Sequence, residues 1–153
     1  MTYDFGSISS GTMRPEDLIP AFADELRAQV EAAAPHPGAM NPDHVKLCDE
    51  ADSIEDYASE DADCVLEELF DALSEYAPPY GYFGAHLSDG ADYGFWLQED
   101  FQQAMRDDDV LEVTDTSEVP ADYSGEVLHV NDHGNATFYA ATHGKLREVW
   151  SIV

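Results

Sequence analysis

Apolar positions recur at helical spacing through the first half of the chain and at strand spacing through the second. Leu18, Phe22, Leu26 and Val30 mark one face of a helix. Asp17 is its expected cap, and Pro20 is placed in its first turn, where the missing N–H is tolerated. Ala32, Ala33 and Ala34 extend this helix; Pro35 and Pro37 stop it. Asn41-Pro42-Asp43 signals a second helix start, with Leu47, Ala51, Ile54 and Ala58 as one apolar stripe. Ser59 is placed to cap a third helix, in which Val65, Leu66, Leu69, Phe70, Leu73 and Tyr76 share a broad apolar face. Pro78 and Pro79 end it.

From residue 80 onward the runs are short and aromatic. Tyr82 to His86 and Tyr93 to Leu97 flank Ser88-Asp89-Gly90 and predict a hairpin turning there. A short helix is expected near 99–106, then strands at 110–114, 126–130, 137–142 and 146–152. Asn131 to Asn135 and His143-Gly144 have hairpin-loop composition. The expected class is α+β: two or three N-terminal helices on one face of a C-terminal antiparallel sheet of about five strands. One domain is expected over 1–153, mainly helical over 1–79 and sheet-forming over 80–153.

Composition agrees with a folded chain, since 44% of residues are hydrophobic and 11% aromatic, unlike a disordered acidic tail. Charge changes the picture. There are 33 Asp and Glu against 6 Lys and Arg, a net charge of −27. Solubility needs a magnitude of only about 2–8, and packing like charge together costs stability. Arg14, Arg27, Lys46, Arg106, Lys145 and Arg147 form no basic stripe, so direct nucleic-acid binding is not expected. No run approaches a membrane span, and no leader or membrane partner is expected. Cys48 and Cys64 fit reduced, buried thiols in a cytoplasm, with a disulfide between them as the lesser alternative.

The acids cluster. Residues 41–76 hold 13 of them against one base, Lys46. Asp49, Asp52 and Asp56 are expected on one face of the second helix. Glu60, Glu67, Glu68, Asp71 and Glu75 are expected opposite the apolar stripe of the third. Residues four apart on a helix lie about 6 Å apart along its axis, while phosphates along one DNA strand rise about 3.4 Å each. Carboxylate rows can therefore imitate a nucleic-acid backbone. These eight residues are the candidate protein-binding face. Asp107, Asp108, Asp109, Tyr93 and Trp96 are secondary candidates, the aromatics divided between core packing and an exposed patch.

Catalytic chemistry finds little purchase. The chain has no metal-ligand spacing among its six histidines, no nucleophile elbow and no phosphate-binding loop. Asp89-Gly90-Ala91-Asp92 lacks the order of a calcium loop, and a hairpin turn is the simpler reading. No catalytic residue, metal or cofactor is expected.

The strings GTMRPEDLIPAF (11–22), YFGAHLSDGADYGFW (82–96), VNDHGNATFYA (130–140) and REVWSIV (147–153) resemble a group of small proteins of bacteriophages, plasmids and other bacterial mobile elements. The resemblance implies a mobile-element origin and brings no activity or site residue; likeness to acidic DNA mimics is one of charge and size. The expected function is a non-enzymatic inhibitor. It would occupy the nucleic-acid-binding site of a basic host defence complex, CRISPR or restriction, in the bacterial cytoplasm. The alternative is an adaptor or regulator using the aromatic hairpin, its acidity serving solubility or salt adaptation. A homodimer is compatible with either.

Overall fold

The computed structural model describes residues 2–153. The elements are β1 (Gly6–Ser9), α1 (Pro15–Ala33), α2 (Pro42–Asp52), α3 (Glu60–Ser74), β2 (Gly81–His86), β3 (Asp89–Leu97), α4 (Phe101–Asp107), β4 (Leu111–Val113), β5 (Gly125–Val130), β6 (Ala136–Thr142) and β7 (Lys145–Ile152). The class is α+β, but the strands form two sheets, ordered β1-β3-β2 and β4-β5-β6-β7, in place of one. Two compact units share the chain. The helical unit is Gly6–Ala77 with Tyr82–Trp96; the sheet unit takes the chain before Gly6, Pro78–Gly81 and Leu97–Val153. The β2–β3 hairpin thus belongs almost wholly with the helices.

In the helical unit α1 begins earlier than the pattern predicts. Pro15 occupies the first helical position, where its fixed φ suits the helix, and Arg14 is the extended residue before it. Asp17 lies inside the first turn, accepting a hydrogen bond from Thr12 Oγ1 at 2.7 Å, and Pro20 is internal. Ala34 turns extended ahead of Pro35, as a residue before proline must. Asn41 caps α2 by accepting from the N–H groups of Asp43 and His44, and Ser59 caps α3 by accepting from Ala62.

α2 stops at Asp52, so Ile54 and Ala58 do not continue its stripe. Ser53 Oγ donates to the Glu50 carbonyl at 2.8 Å, and the Ser53 and Ile54 N–H groups close tight turns on Glu50 and Ala51. This local side-chain bond competes with helix continuation. α1 packs on both α2 and α3. Phe22 and Phe70 meet Phe83 edge-on at 5.2 and 4.9 Å, and Phe83 lies 5.3 Å from Phe95.

The hairpin turns at Leu87-Ser88, one residue before the predicted Ser88-Asp89-Gly90. His86 Nδ1 accepts the Ser88 N–H at 3.0 Å and Asp89 accepts that of Ala91, which holds the turn early. β1, GSIS, is a strand that the hydrophobic pattern does not predict; it pairs antiparallel with β3.

In the sheet unit β5, β6 and β7 are antiparallel, and β4 runs parallel to β5, against the all-antiparallel expectation. Strand alternation sends Leu128, Phe138 and Trp150 to one face and Val127 and Ala141 to the other. The first face packs with Met105 of α4, Ala136 and Val149; the second with Val113. Trp150 is fully buried, and its indole N–H donates to the Pro79 carbonyl at 2.9 Å. The β6–β7 turn is His143-Gly144, with φ of 48° and 79°, a pair of left-handed residues that suits a two-residue hairpin.

Two expected outcomes follow from these contacts. A Cβ at Gly94 would lie 2.1 Å from the Gly6 carbonyl oxygen. Gly94→Ala should therefore lift β1 from β3 and cost about 1–3 kcal/mol, the usual range for overpacking; urea unfolding measures it, and a change inside ±0.3 kcal/mol contradicts the close approach. Secondly, Asp115 accepts the Ser117 N–H while Glu118 accepts from Thr114 and the Asp115 N–H. These bonds hold both carboxyls below their ordinary values. Their stabilisation is complete above the unfolded-state values and is lost as pH falls through the lower folded ones. NMR titration should show the Thr116–Glu118 turn loosening only at the acid end, after the ordinary surface carboxyls have titrated.

Candidate acidic binding face

All eight predicted acidic residues are exposed, but they do not make one row. Glu68, Asp71 and Glu75 line a groove between α2 and α3, of about 430 Å³, together with Asp43 and Glu50 of α2. His44, Leu47 and Ala72 form its wall, and Lys46, 3.6 Å from Glu50, is its base. Glu60 and Glu67 also lie on the exposed surface of α3. Asp49 and Asp52 lie on the other side of α2: Asp49 lines a cleft against α1, and Asp52 pairs with Arg27 of α1. Asp56 is off the helix altogether, its carboxylate accepting the Ala58 N–H at 3.0 Å. The expectation that Asp49, Asp52 and Asp56 share a helical face therefore fails, because α2 ends before Asp56.

Asp43 and Glu50 are not singled out from the other acids by the sequence pattern alone. They are seven apart, two helical turns, and so share a side. That spacing was visible; which side of α2 faces α3 was not.

The electrostatics of this region run against local stability. None of α1, α2 and α3 carries a base in its last turn, although cations are favoured there and carboxylates disfavoured. Asp49, Glu50 and Asp52 crowd the end of α2, and Glu75 terminates α3.

Among the described residues His44 is the one buried polar or charged side chain, 7% exposed. Its Nδ1 lies 2.8 Å from the Tyr76 hydroxyl and its Nε2 3.5 Å from Glu75. A neutral ring with its proton on Nε2 satisfies both contacts, accepting the Tyr76 proton at Nδ1. Burial, and then the Glu75 charge, push the Tyr76 phenol up, so it stays a donor. The pair ties α2 to the end of α3 along the groove wall.

The secondary candidates are occupied structurally. Asp107 and Asp108 close α4 and Asp109 follows in left-handed backbone, φ 59°. Asp107 accepts from Gln103 and Asp108 from the Tyr80 hydroxyl at 2.7 Å; burial and this bond push the Tyr80 phenol up. Tyr93 is half-buried, edge-on to Phe22 at 5.7 Å. Trp96 is half-buried too; its indole N–H donates to the Gly84 carbonyl and its ring meets His86 at 4.7 Å. Asp89 and Asp92 lie in β3, not in a loop. Both cysteines are free; Cys48 is buried, whereas Cys64 is exposed, against expectation.

Among the described residues no group of three or more His, Cys, Asp or Glu converges as metal ligands, and no helix is long and apolar enough to cross a membrane. No protein-family model matches the chain, and neither a curated protein nor a solved structure matches it.

Tyr76→Phe should leave the buried His44 Nδ1 without its donor and lower stability by about 1 kcal/mol. Urea unfolding checks this; unchanged stability would show that the bond is not formed in solution.

Proposed function

We propose that the protein is an acidic DNA mimic, which inhibits by occupying the nucleic-acid-binding site of a host defence complex of the CRISPR or restriction kind. The observation that carries this reading is the α2–α3 surface. Five carboxylates converge on one groove, further acids flank it, and a single lysine opposes them. Like charges at these spacings weaken their own helices by about 0.2–0.5 kcal/mol per pair, and the acids at the helix ends add to that cost. A retained cost argues for a use, and an anionic ridge is used by meeting cations. The protein acts by occupancy, needing no cofactor, in the cytoplasm of the host cell; its resemblance to mobile-element proteins supplies the biological setting. Tyr93 and Trp96, the anchors of an adaptor, are engaged in internal contacts, which favours the carboxylates as the contact set.

A second reading has its own observation. The sheet unit also carries 13 acids against three bases, and the helical unit 20 against three, as salt adaptation would spread them. A chain that unfolds when salt is lowered to about 0.1 M, where the Debye length is ~10 Å, favours that reading over mimicry.

The test is Glu68→Lys with Asp71→Lys and Glu75→Lys. Wild type should capture from host lysate a nucleic-acid-binding complex, release it at high salt, and block its binding of DNA. The triple variant should remain folded and lose capture by at least about tenfold. Equal capture by the variant, or a complex that persists at high salt and still binds DNA, overturns the proposal.

A further inference from the structure

We propose that the cleft between α1 and α2 is a socket for one apolar side chain on a basic segment of the partner; the inference rests on the binding mode above and adds a point of register to it. The cleft holds about 140 Å³. An apolar cavity of about 150 Å³ takes up benzene, so a Phe ring or a Leu or Ile side chain fits. Val30, Met40, Val45 and Cys48 line it. Val45 is 36% exposed, one of few large apolar side chains left in water on this surface. Cys48 donates its thiol to the Ala23 carbonyl at 3.6 Å, and burial pushes that thiol up, so it stays uncharged.

The rim says what kind of segment enters. Glu31 and Asp49 are exposed there and have no ion-pair partner among the described residues. The cleft's one cation, Arg27, is already bound by Asp24, Asp52 and the Cys48 carbonyl, and its charge is offset. An apolar residue flanked by Lys or Arg therefore matches the site: the apolar group leaves water in the cleft and the cations reach Glu31 and Asp49. A phosphate-like charge array alone sets no side-chain register, whereas a buried anchor does. Asp49 on the cleft and Glu50 on the α2–α3 groove are neighbours on α2, so the socket and the acidic groove lie on two sides of the same helix.

The probes are two heptapeptides, Lys-Ala-Lys-Phe-Lys-Ala-Lys and the same peptide with Ala at its centre, titrated into the full chain by NMR. At roughly 0.5 M salt, where exposed charge pairs are largely screened, the Phe peptide should bind about tenfold more tightly, as burial of an aromatic ring predicts, and shift the methyl signals of Val30, Met40 and Val45. Val45→Glu adds negative charge at an exposed helical position, so charge attraction alone predicts tighter binding of both peptides. The socket predicts instead that the difference between them disappears. Equal affinity of the two peptides for wild type, or a difference that survives Val45→Glu, overturns the socket. Equal, salt-sensitive binding of both leaves the anionic reading standing, whereas no binding of either at low salt overturns both.

Discussion

Repulsion among 33 carboxylates is the constraint around which this molecule is built. Every described Asp and Glu keeps contact with water, since a buried carboxylate would need a partner that six bases cannot provide. The interior is consequently almost free of polar side chains. Cohesion comes from dense aromatic packing: Phe22, Phe70, Phe83 and Phe95 in one unit, Trp150, Phe138, Phe5 and Phe101 in the other. Each such ring removes a large apolar area from water, about 1.5–3 kcal/mol for a fully buried side chain. His44 is the exception that shows the rule, because Tyr76 and Glu75 answer both of its nitrogens.

The three helices of the helical unit, α1, α2 and α3, display the same tension on a smaller scale. Their beginnings are well made: Pro15 at the first position of α1, Asn41 and Ser59 as caps, acids in every first turn. Their ends lack the cations that would complement the dipole. α2 gives way at Ser53, and the segment to Ser59 is held by local bonds from Ser53, Asp56 and Ser59 to the backbone. Acidity at these ends is what sets the α2–α3 surface apart from an ordinary solvated helix face.

Local signals were readable in the sequence and long-range ones were not. The caps at Asn41 and Ser59, the proline stops and the His143-Gly144 turn depend on a few neighbouring residues, and all three kinds were legible. β1 was not, because Gly6-Ser7-Ile8-Ser9 has no apolar alternation and its partner Phe95 is remote in sequence. The parallel run of β4 on β5 is likewise a matter of pairing across an intervening turn. At the candidate site the carboxylates were identified but their grouping was not. The apolar period continued by coincidence through Ile54 and Ala58, which carried Asp56 onto a helix it does not occupy. Asp43 and Glu50 emerged only once the orientation of α2 against α3 was known.

The route of the chain has a consequence for how this protein can be dissected or inherited. The polypeptide passes between the two units after Phe5, Ala77, Gly81 and Trp96. All of the helical unit lies before Leu97 and every strand of the sheet unit after it, yet the sheet core also takes Phe5, Pro79 and Tyr80 from the earlier chain. Truncation after Trp96 therefore keeps the helical unit whole, whereas a fragment starting at Leu97 loses the ring and the carbonyl that meet Trp150. The dependence runs one way: the tryptophan-centred sheet cannot be inherited without the short segments that flank the anionic helices.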